Sequence, residues 1–239
     1  MNTPPTGTIA LIGAGEYLPA VATVDQQLLE RVSGTPRVVV LPTAAVPDGP
    51  VVAERWIQMG IDHFTRLGAT VEPIRLFTRA DANNEAIVTK LAAANFIYFS
   101  GGKPRYLLET LKDSAAWQAI CGVYASGGVI AGCSAGAMAL GGVLLDFPRV
   151  WRTLPALALV PDIAVIPHFD EIPSFITSMI RSVARKTTVV GIDGSTALVG
   201  TGGQWTVLGK GKVTLFSGKN TTRYLVGDCV PLQKNALNI

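Results

Sequence analysis

An α/β fold with a mainly parallel central sheet is predicted by two patterns along the 239-residue chain. Short apolar runs alternate with longer amphipathic stretches, as is typical of βαβ units in which helices cover both faces of a parallel sheet. The last fifty or so residues instead contain short apolar runs separated by glycines. We therefore expect three layers, α/β/α, followed by a C-terminal extension of antiparallel strands.

The individual elements follow from the spacing of the apolar residues. Continuous apolar runs indicate buried strands, and apolar residues three and four positions apart indicate amphipathic helices. Pro73 shortens the third strand or places it at an edge, and Asn83 or Asn84 is expected to cap the following helix. The expected strands are 8–15, 37–45, 70–77, 95–102, 128–133, 162–169 and 187–193, and the expected helices are 24–32, 50–67, 85–94, 106–111, 113–125 and 174–185.

Composition limits the classes of function. Of the residues, 49% are hydrophobic and 15% are charged, which allows a large buried core. The net charge of +3, without a run of lysines or arginines, gives no indication of a nucleic-acid partner. No apolar run reaches the roughly 18 residues of a membrane span, so no membrane partner is expected. We expect a single domain over residues 1–239, with residues 1–7 as a flexible N-terminus.

Few residues are available for metal ligation or for disulfides. With two histidines, a metal centre would depend almost wholly on carboxylates, and we predict neither a metal nor another cofactor. The three cysteines have no CxxC spacing, which favours free thiols in a reducing compartment. The N-terminus has no secretory signal pattern, so we expect a cytoplasmic protein.

The clearest sign of chemistry is the stretch GCSAGA, residues 132–137. It places Ser134 between an expected strand and an expected helix, in the G-x-S-x-G pattern of a nucleophile elbow. The strained backbone at such a serine leaves no room for side chains two residues away, where Gly132 and Gly136 stand. Ser134 is therefore the candidate nucleophile of a hydrolase, and the amide of Ala135 is a candidate donor to the oxyanion.

A serine nucleophile needs a base, and the choice is between two histidines. His168 ends an apolar strand, and a strand in the centre of the sheet would bring it to the same edge as Ser134, so it is the favoured base. His63 lies in an amphipathic helix and is expected to be a structural residue at the surface or half-buried. The third member of the triad stays open among Asp146, Asp170, Glu171 and Asp193.

A glycine pair, Gly101 and Gly102 in the stretch FSGG, ends a neighbouring expected strand. Without side chains, this backbone can approach the nucleophile closely and offer a second amide to the oxyanion hole. Lys103 follows the pair directly and Arg105 comes two residues later, and with Arg149 they are candidate positive charges for binding a substrate. A solvated surface position is the simpler interpretation for each of these three.

Six motifs stand in an order and spacing known from one protein family: LIGAGE, LPTAA, IYFSGG, AGCSAGA, PHF and GIDGSTALV. Over about residues 8–215, the chain resembles the family of cyanophycinase and dipeptidase E (aspartyl dipeptidase). The resemblance implies a class I glutamine amidotransferase-like fold, a variant of the flavodoxin-like architecture, and serine peptidase activity. It also implies that Ser134 is the nucleophile, that His168 is the base, and that the glycine pair with the amide of Ala135 forms the oxyanion hole.

The chain departs from the family pattern at three places. Members similar to cyanophycinase have an arginine-rich stretch after the HF pair, whereas this chain reads HFDEIPSFITSMIRS. Lys103 and Pro104 follow the glycine pair where Asp or Asn and then Gln or Thr are common, and Gly194 replaces the carboxylate of the GIDE motif. The resemblance therefore implies a peptidase without implying specificity for aspartyl substrates.

Three classes of function remain. The first is a serine hydrolase that cleaves a peptide or related amide bond through an acyl-enzyme, with a small peptide or amide as its substrate. The second is a glutamine amidotransferase using Cys133, whose side chain should point away from the site because side chains alternate along a strand. The third is a catalytically silent binding protein of the same fold. The C-terminal strands are also a candidate surface for a homodimer.

Overall fold

The computed structural model describes residues 7–145, 153–173 and 176–232. Its first half alternates strands and helices, in the order β1 (Thr8–Ile12), α1 (Pro19–Leu29), β2 (Arg37–Leu41), α2 (Pro50–Arg66), β3 (Thr70–Pro73), α3 (Glu85–Ala93), β4 (Phe96–Phe99), α4 (Pro104–Leu111), α5 (Ala115–Ala125), β5 (Val129–Cys133) and α6 (Ala135–Leu140). The second half consists mainly of strands, in the order β6 (Gly141–Leu145), β7 (Thr153–Pro155), β8 (Val160–Ile166), α7 (Thr177–Val183), β9 (Thr188–Ile192), β10 (Thr196–Thr201), β11 (Gln204–Gly209), β12 (Lys212–Ser217), β13 (Asn220–Leu225) and β14 (Cys229–Val230). Short 3-10 helices span Thr43–Asp48, Asp81–Asn83 and Phe169–Glu171.

The strands of the described residues form two sheets, and the larger one has eight strands in the order β14-β11-β10-β1-β5-β4-β2-β3. The five strands from β1 to β3 in this order run parallel, as the alternation of strands and helices predicts. Strands β10, β11 and β14 extend the sheet beyond β1 in antiparallel fashion. The third strand lies at the edge of the sheet, which confirms the prediction made from Pro73.

Helices cover both faces of this main sheet. On β4, Ile97 and Phe99 contribute to one buried cluster, whereas Phe96 and Tyr98 contribute to the other, because successive side chains of a strand point to opposite faces. The first cluster includes side chains of α3, α4 and α5, and the second includes side chains of α1 and α2. The three-layer α/β/α fold predicted from the sequence is thereby confirmed.

The six remaining strands of the described chain form a second sheet in the order β13-β12-β9-β8-β6-β7. The C-terminal extension is therefore divided, since β10, β11 and β14 join the main sheet while β12 and β13 continue the second one. The expectation that the strand before His168 lies in the centre of the main sheet is wrong. That strand is β8, which pairs in parallel with β6 and β9 in the second sheet.

Several local expectations can be compared with the structure. Asn84, not Asn83, caps α3, because its side chain accepts hydrogen bonds from the amides of Ala86 and Ile87. Of the expected flexible N-terminus, residues 1–6 lie outside the described residues, whereas Gly7 is buried. Within the described residues, no helix combines the length and the apolar character needed to span a membrane. The assignment of residues 1–239 to one domain stays a prediction.

Candidate active site

The turn between β5 and α6 has the geometry of a nucleophile elbow. Ser134 has φ of 51° and ψ of −110°, a strained conformation for a residue with a side chain. Its neighbours must be small, because a Cβ on Gly132 would lie 2.6 Å from the carbonyl carbon of Gly136, and a Cβ on Gly136 would lie 2.6 Å from the carbonyl oxygen of Phe99. Ser134 itself is only partly buried, so the turn exposes its side chain at the end of β5.

His168 reaches this serine from the second sheet. It follows the end of β8 and adopts a left-handed backbone conformation, with φ of 51° and ψ of 39°. Its Nε2 lies 3.3 Å from Ser134 Oγ, within hydrogen-bond reach. The side chain of His168 is 42% exposed, which leaves the ring accessible to a substrate. The two sheets therefore contribute one side chain each to a serine–histidine contact.

Of the candidates for a third triad member, Glu171 lies beside the histidine. Its Oε1 is 3.4 Å from His168 Nδ1, at the long end of hydrogen-bonding distances, and its side chain is 69% exposed. Asp170 instead accepts a hydrogen bond of 2.7 Å from the amide of Gly194. The buried Asp193 lies 2.9 Å from the ammonium group of Lys212. Asp146 lies outside the described residues.

The glycine pair after β4 lies against Ser134, the candidate nucleophile. A Cβ on Gly101 would be 3.4 Å from Ser134 Cβ, and a Cβ on Gly102, whose φ is 134°, would overlap the carbonyl group of Ala44. Gly102 therefore accepts no side chain without a rearrangement of the backbone at Ala44, and Gly101 brings the loop to contact distance from Ser134. Within the described residues, the amides of Gly102 and Ala135 donate to no protein acceptor, whereas the amide of Gly101 donates to a carboxylate.

That carboxylate belongs to Glu16, a residue to which the sequence interpretation gave no role. Glu16 Oε1 accepts a hydrogen bond of 2.8 Å from the Gly101 amide, and Oε2 accepts one of 3.1 Å from the Cys133 thiol. The one signal in the sequence that could have found it is its place at the end of the LIGAGE motif, directly after the first strand. A carboxylate thus lies between the glycine pair and the residue that precedes Ser134.

Cys133 is unsuited to be a nucleophile. The side chain is fully buried, on the packing side of β5 as the alternation of side chains predicts. Burial, and after it the charge of Glu16, raises the pKa of the Cys133 thiol well above its usual range. Because the thiolate is the reactive form of cysteine, this environment excludes the glutamine amidotransferase alternative for this residue.

The candidate substrate-binding cations lie at the start of α4. Lys103 Nζ is 3.4 Å from Asp48 Oδ1, and both side chains are well exposed. Arg105 Nε is 2.8 Å from Glu109 Oε1, one helical turn further along, and this pair is also exposed. Both cations stand next to the glycine pair, and each already has an acidic partner. Arg149 lies outside the described residues.

The other histidine, His63, is more deeply buried than the sequence predicts. His63 is fully buried, not at the surface or half-buried, with 3% of the side chain exposed. Its Nε2 lies 2.8 Å from Oδ2 of Asp25, a buried residue of α1. The rings of Tyr17 and Phe64 pack against His63 at centroid distances of 5.7 and 5.0 Å. These contacts agree with the expected structural role of His63, but they lie inside the layer formed by α1 and α2 and not at the surface.

A partly exposed serine on a strained strand-to-helix turn, next to a histidine at the end of another strand, is the arrangement of a serine hydrolase. Residues 9–208 match the sequence model of Peptidase family S51. No curated protein sequence matches the chain significantly.

The solved structures that are similar to this protein include two peptidases. The crystal structure of a peptidase from an acI-B1 actinobacterium has a TM-score of 0.84 and 33% sequence identity, over 94% of this chain and 96% of that chain. A crystal structure assigned to peptidase E of Listeria monocytogenes EGD-e has a TM-score of 0.61 and 23% identity, over 85% of this chain and 98% of that chain, and supports the fold. The chain belongs to peptidase family S51, and its class is that of the serine peptidases. The resemblance noted in the sequence is confirmed.

Proposed function

We propose that this peptidase cleaves a peptide or related amide bond through an acyl-enzyme formed on Ser134, with His168 as the general base. The observation that carries the proposal is the 3.3 Å contact between Ser134 Oγ and His168 Nε2 at a strained strand–helix turn. A nucleophile and base within hydrogen-bond reach, with a third group beside the base, are the signature of this kind of catalysis.

The reaction then proceeds in two halves. Ser134 Oγ attacks the carbonyl carbon of the scissile bond while its proton passes to His168 Nε2, giving a tetrahedral oxyanion. The carbon–nitrogen bond breaks as His168 returns this proton to the leaving amine, and an ester on Ser134 remains. Water attacks the ester in the same way, with His168 again taking and returning a proton, and the acid product leaves with Ser134 regenerated.

We assign the orientation of the imidazole to Glu171. When its carboxylate accepts a hydrogen bond from Nδ1, the other nitrogen of His168 is left to accept the proton of the serine. The two side chains are exposed and 3.4 Å apart, so the pair is weak in the resting protein. A bound substrate that excludes water from the site would strengthen it.

We assign the oxyanion hole to the amides of Gly102 and Ala135. Two facts support this choice over Gly101: both amides have no protein acceptor within the described residues, and the amide of Gly101 is engaged by Glu16. Ala135 is the residue after the nucleophile, which supplies one donor in elbow-type hydrolases. Each such donor contributes about 10²-fold or more to the rate.

We also propose that the substrates are short peptides or related amides and that the protein acts in the cytoplasm. Lys103, beside the glycine pair, is the candidate contact for a carboxylate of the substrate, since its partner Asp48 is exposed and the pair is open to water. The three cysteines are unpaired, which agrees with a reducing compartment.

The test is covalent labelling with a fluorophosphonate, followed by intact-mass measurement. We expect one adduct on the wild-type protein and none on Ser134→Ala. A matched control is Ser195→Ala, since Ser195 also has a positive φ, 52°, but contacts no histidine in the described structure. This control is expected to label like the wild type. A folded wild-type protein that takes no adduct would contradict the proposal and favour a silent binding protein. An adduct at another serine would contradict the assignment of Ser134 as the nucleophile.

A further inference from the structure

Three parallel strands bring Glu16 under the candidate oxyanion hole. β1 pairs with β5, so that Ile12 lies beside Cys133, and β5 pairs with β4, so that Gly132 lies beside Phe99. The segments that follow these strands carry Glu16, Ser134 and the glycine pair. Because the carboxyl ends of parallel strands meet at one edge of a sheet, the three segments become neighbours there.

Both oxygens of the Glu16 carboxylate are used at this edge. Oε1 accepts from the Gly101 amide at 2.8 Å, and Oε2 accepts from the Cys133 thiol at 3.1 Å. A side chain at position 101 would not fit between Glu16 and Ser134, since a Cβ on Gly101 would lie 2.5 Å from Glu16 Oε1 and 3.4 Å from Ser134 Cβ. The Glu16 carboxylate therefore contacts the segment 100–103 that contains the glycine pair, here called the glycine loop. The glycine loop in turn packs against Ser134.

The position of Glu16 is itself fixed by the next residue. Tyr17 is buried, with φ of 64°, and its ring packs against Tyr98 at a centroid distance of 5.4 Å and against Trp56 at 5.8 Å. Because the side chain of Tyr17 is packed in the core, the backbone at Tyr17 cannot rotate without moving Glu16. Glu16 thus belongs to a rigid part of the loop between β1 and α1.

The glycine loop is held from two sides. On one side Glu16 binds the amide of Gly101, and on the other side the amide of Lys103 donates to the carbonyl oxygen of Ala44 at 2.6 Å. The amide of Gly102 lies between these two anchors and has no acceptor within the described residues. Fixed on both sides, the loop holds this free amide in one orientation, which is what an oxyanion hole requires.

We propose that Glu16 is a positioning residue of the oxyanion hole: by binding the Gly101 amide and the Cys133 thiol it holds the glycine loop in register with Ser134. This inference rests on the proposed function. Glu16 acts by orienting the backbone of the glycine loop, and its carboxylate takes no proton in the reaction. Because burial keeps the pKa of the Cys133 thiol high, the thiol keeps its proton and remains a donor to Glu16 at neutral pH.

The test separates the shape of the side chain from its charge. Glu16→Gln keeps the length and an acceptor for the Gly101 amide, and it is expected to retain kcat for p-nitrophenyl acetate within about 5-fold. Glu16→Asp keeps the charge but shortens the reach, and Glu16→Ala removes both contacts. We expect kcat to fall at least about 10-fold in the Asp variant and about 100-fold in the Ala variant, with KM within about 3-fold of wild type.

Three controls make the result decisive. Thermal unfolding is measured for each variant, since a folded Asp variant still tests the inference if the Ala variant does not fold. Glu30→Ala removes an exposed glutamate next to α1, and it should leave kcat unchanged. The rate of fluorophosphonate labelling of Ser134 should fall in parallel with kcat, because the phosphoryl oxygen occupies the same hole.

Each outcome decides the inference. It is overturned if Glu16→Asp and Glu16→Ala keep the wild-type kcat, or if they change KM alone. It is also overturned if Glu16→Gln loses as much kcat as Glu16→Ala, since the charge would then act directly in the chemistry. A wild-type protein that is not labelled at Ser134 overturns the proposed function and this inference with it, whereas a labelled wild type with an equally reactive Ala variant overturns the inference alone.

Discussion

Two histidine–carboxylate pairs lie at different depths in this molecule. His63 Nε2 is 2.8 Å from Asp25 Oδ2, and both side chains are buried, with 3% and 0% exposed. His168 Nδ1 is 3.4 Å from Glu171 Oε1, and both side chains are largely open to solvent. By distance and burial the first pair is the better formed of the two. The second pair is the one that reaches Ser134, the candidate nucleophile.

The difference shows that a close contact between a histidine and a carboxylate is a poor marker of catalysis. The buried pair satisfies polar groups between α1 and α2, where the rings of Tyr17 and Phe64 surround the imidazole. The exposed pair is loose, but the second nitrogen of its imidazole lies 3.3 Å from Ser134 Oγ. What distinguishes the candidate catalytic histidine, His168, is the group at its other nitrogen and its access to a substrate.

The largest effect is expected from breaking the buried pair. His63→Ala leaves the Asp25 carboxyl buried without its partner. Burial raises the pKa of this carboxyl, and the contact with His63 is what opposes that rise. We expect the free energy of unfolding to fall by about 3–5 kcal/mol, measured by urea denaturation at pH 7. Labelling of Ser134 in the folded fraction should be unaffected.

A double variant tests whether this loss comes from the pair. Asp25→Ala combined with His63→Ala removes both buried polar groups, so its destabilisation should be clearly smaller than the sum of the two single variants. Additive losses would mean that the two residues act independently and that the 2.8 Å contact contributes little.

A smaller effect is expected at the exposed pair. Glu171→Gln removes the charge beside His168 while keeping the shape of the side chain, and kcat for p-nitrophenyl acetate should fall about 10-fold with no measurable change in stability. Asp170→Asn is the matched control, since Asp170 binds the Gly194 amide and not the imidazole. It should lower kcat less than Glu171→Gln does, and equal losses would remove Glu171 from the mechanism.

The smallest effect concerns Tyr98, in the same aromatic layer as His63. Burial raises the pKa of the Tyr98 phenol well above its usual range. Above about pH 10 the phenol ionises in the unfolded chain but not in the folded protein, so the unfolded state binds fewer protons. Stability must then fall with rising pH, by about 1.4 kcal/mol per pH unit for this one group.

Tyr98→Phe should remove that part of the alkaline loss. At pH 7 the variant should be as stable as the wild type or up to about 1 kcal/mol more stable, because the buried hydroxyl has no hydrogen-bond partner within the described protein. Tyr106→Phe is the contrasting control, since the Tyr106 hydroxyl donates to the carbonyl of Phe77 at 2.9 Å and its loss should cost about 1 kcal/mol. An alkaline slope that is unchanged in Tyr98→Phe would show that this phenol does not limit stability.

Local patterns in the sequence were sufficient for the layers of the fold and for the elbow. Continuous apolar runs predict β1 to β5, helical spacing predicts the helices between them, and the small residues around Ser134 predict the strained turn. His168 was selected because few histidines exist, and the structure places it beside Ser134. The reason given for its position was wrong, since its strand belongs to the second sheet.

The rest of the site depends on contacts between distant parts of the chain. Glu16 meets Gly101 and Cys133 across 85 and 117 residues, through the pairing order of three strands that no local pattern specifies. The choice between Asp170 and Glu171 depends on one turn of 3-10 helix after His168, where adjacent side chains point in different directions. Burial of His63 likewise depends on a partner 38 residues away.

The comparison of the two histidines is tested most directly by one rate measurement. The second-order rate constant for fluorophosphonate labelling of Ser134 is determined for wild type, His168→Ala and His63→Ala under conditions where all three are folded. We predict that His168→Ala reacts about 10³-fold more slowly, while His63→Ala reacts within about 3-fold of wild type. A His168→Ala protein that reacts like wild type, or an equal loss in both variants, would contradict the account.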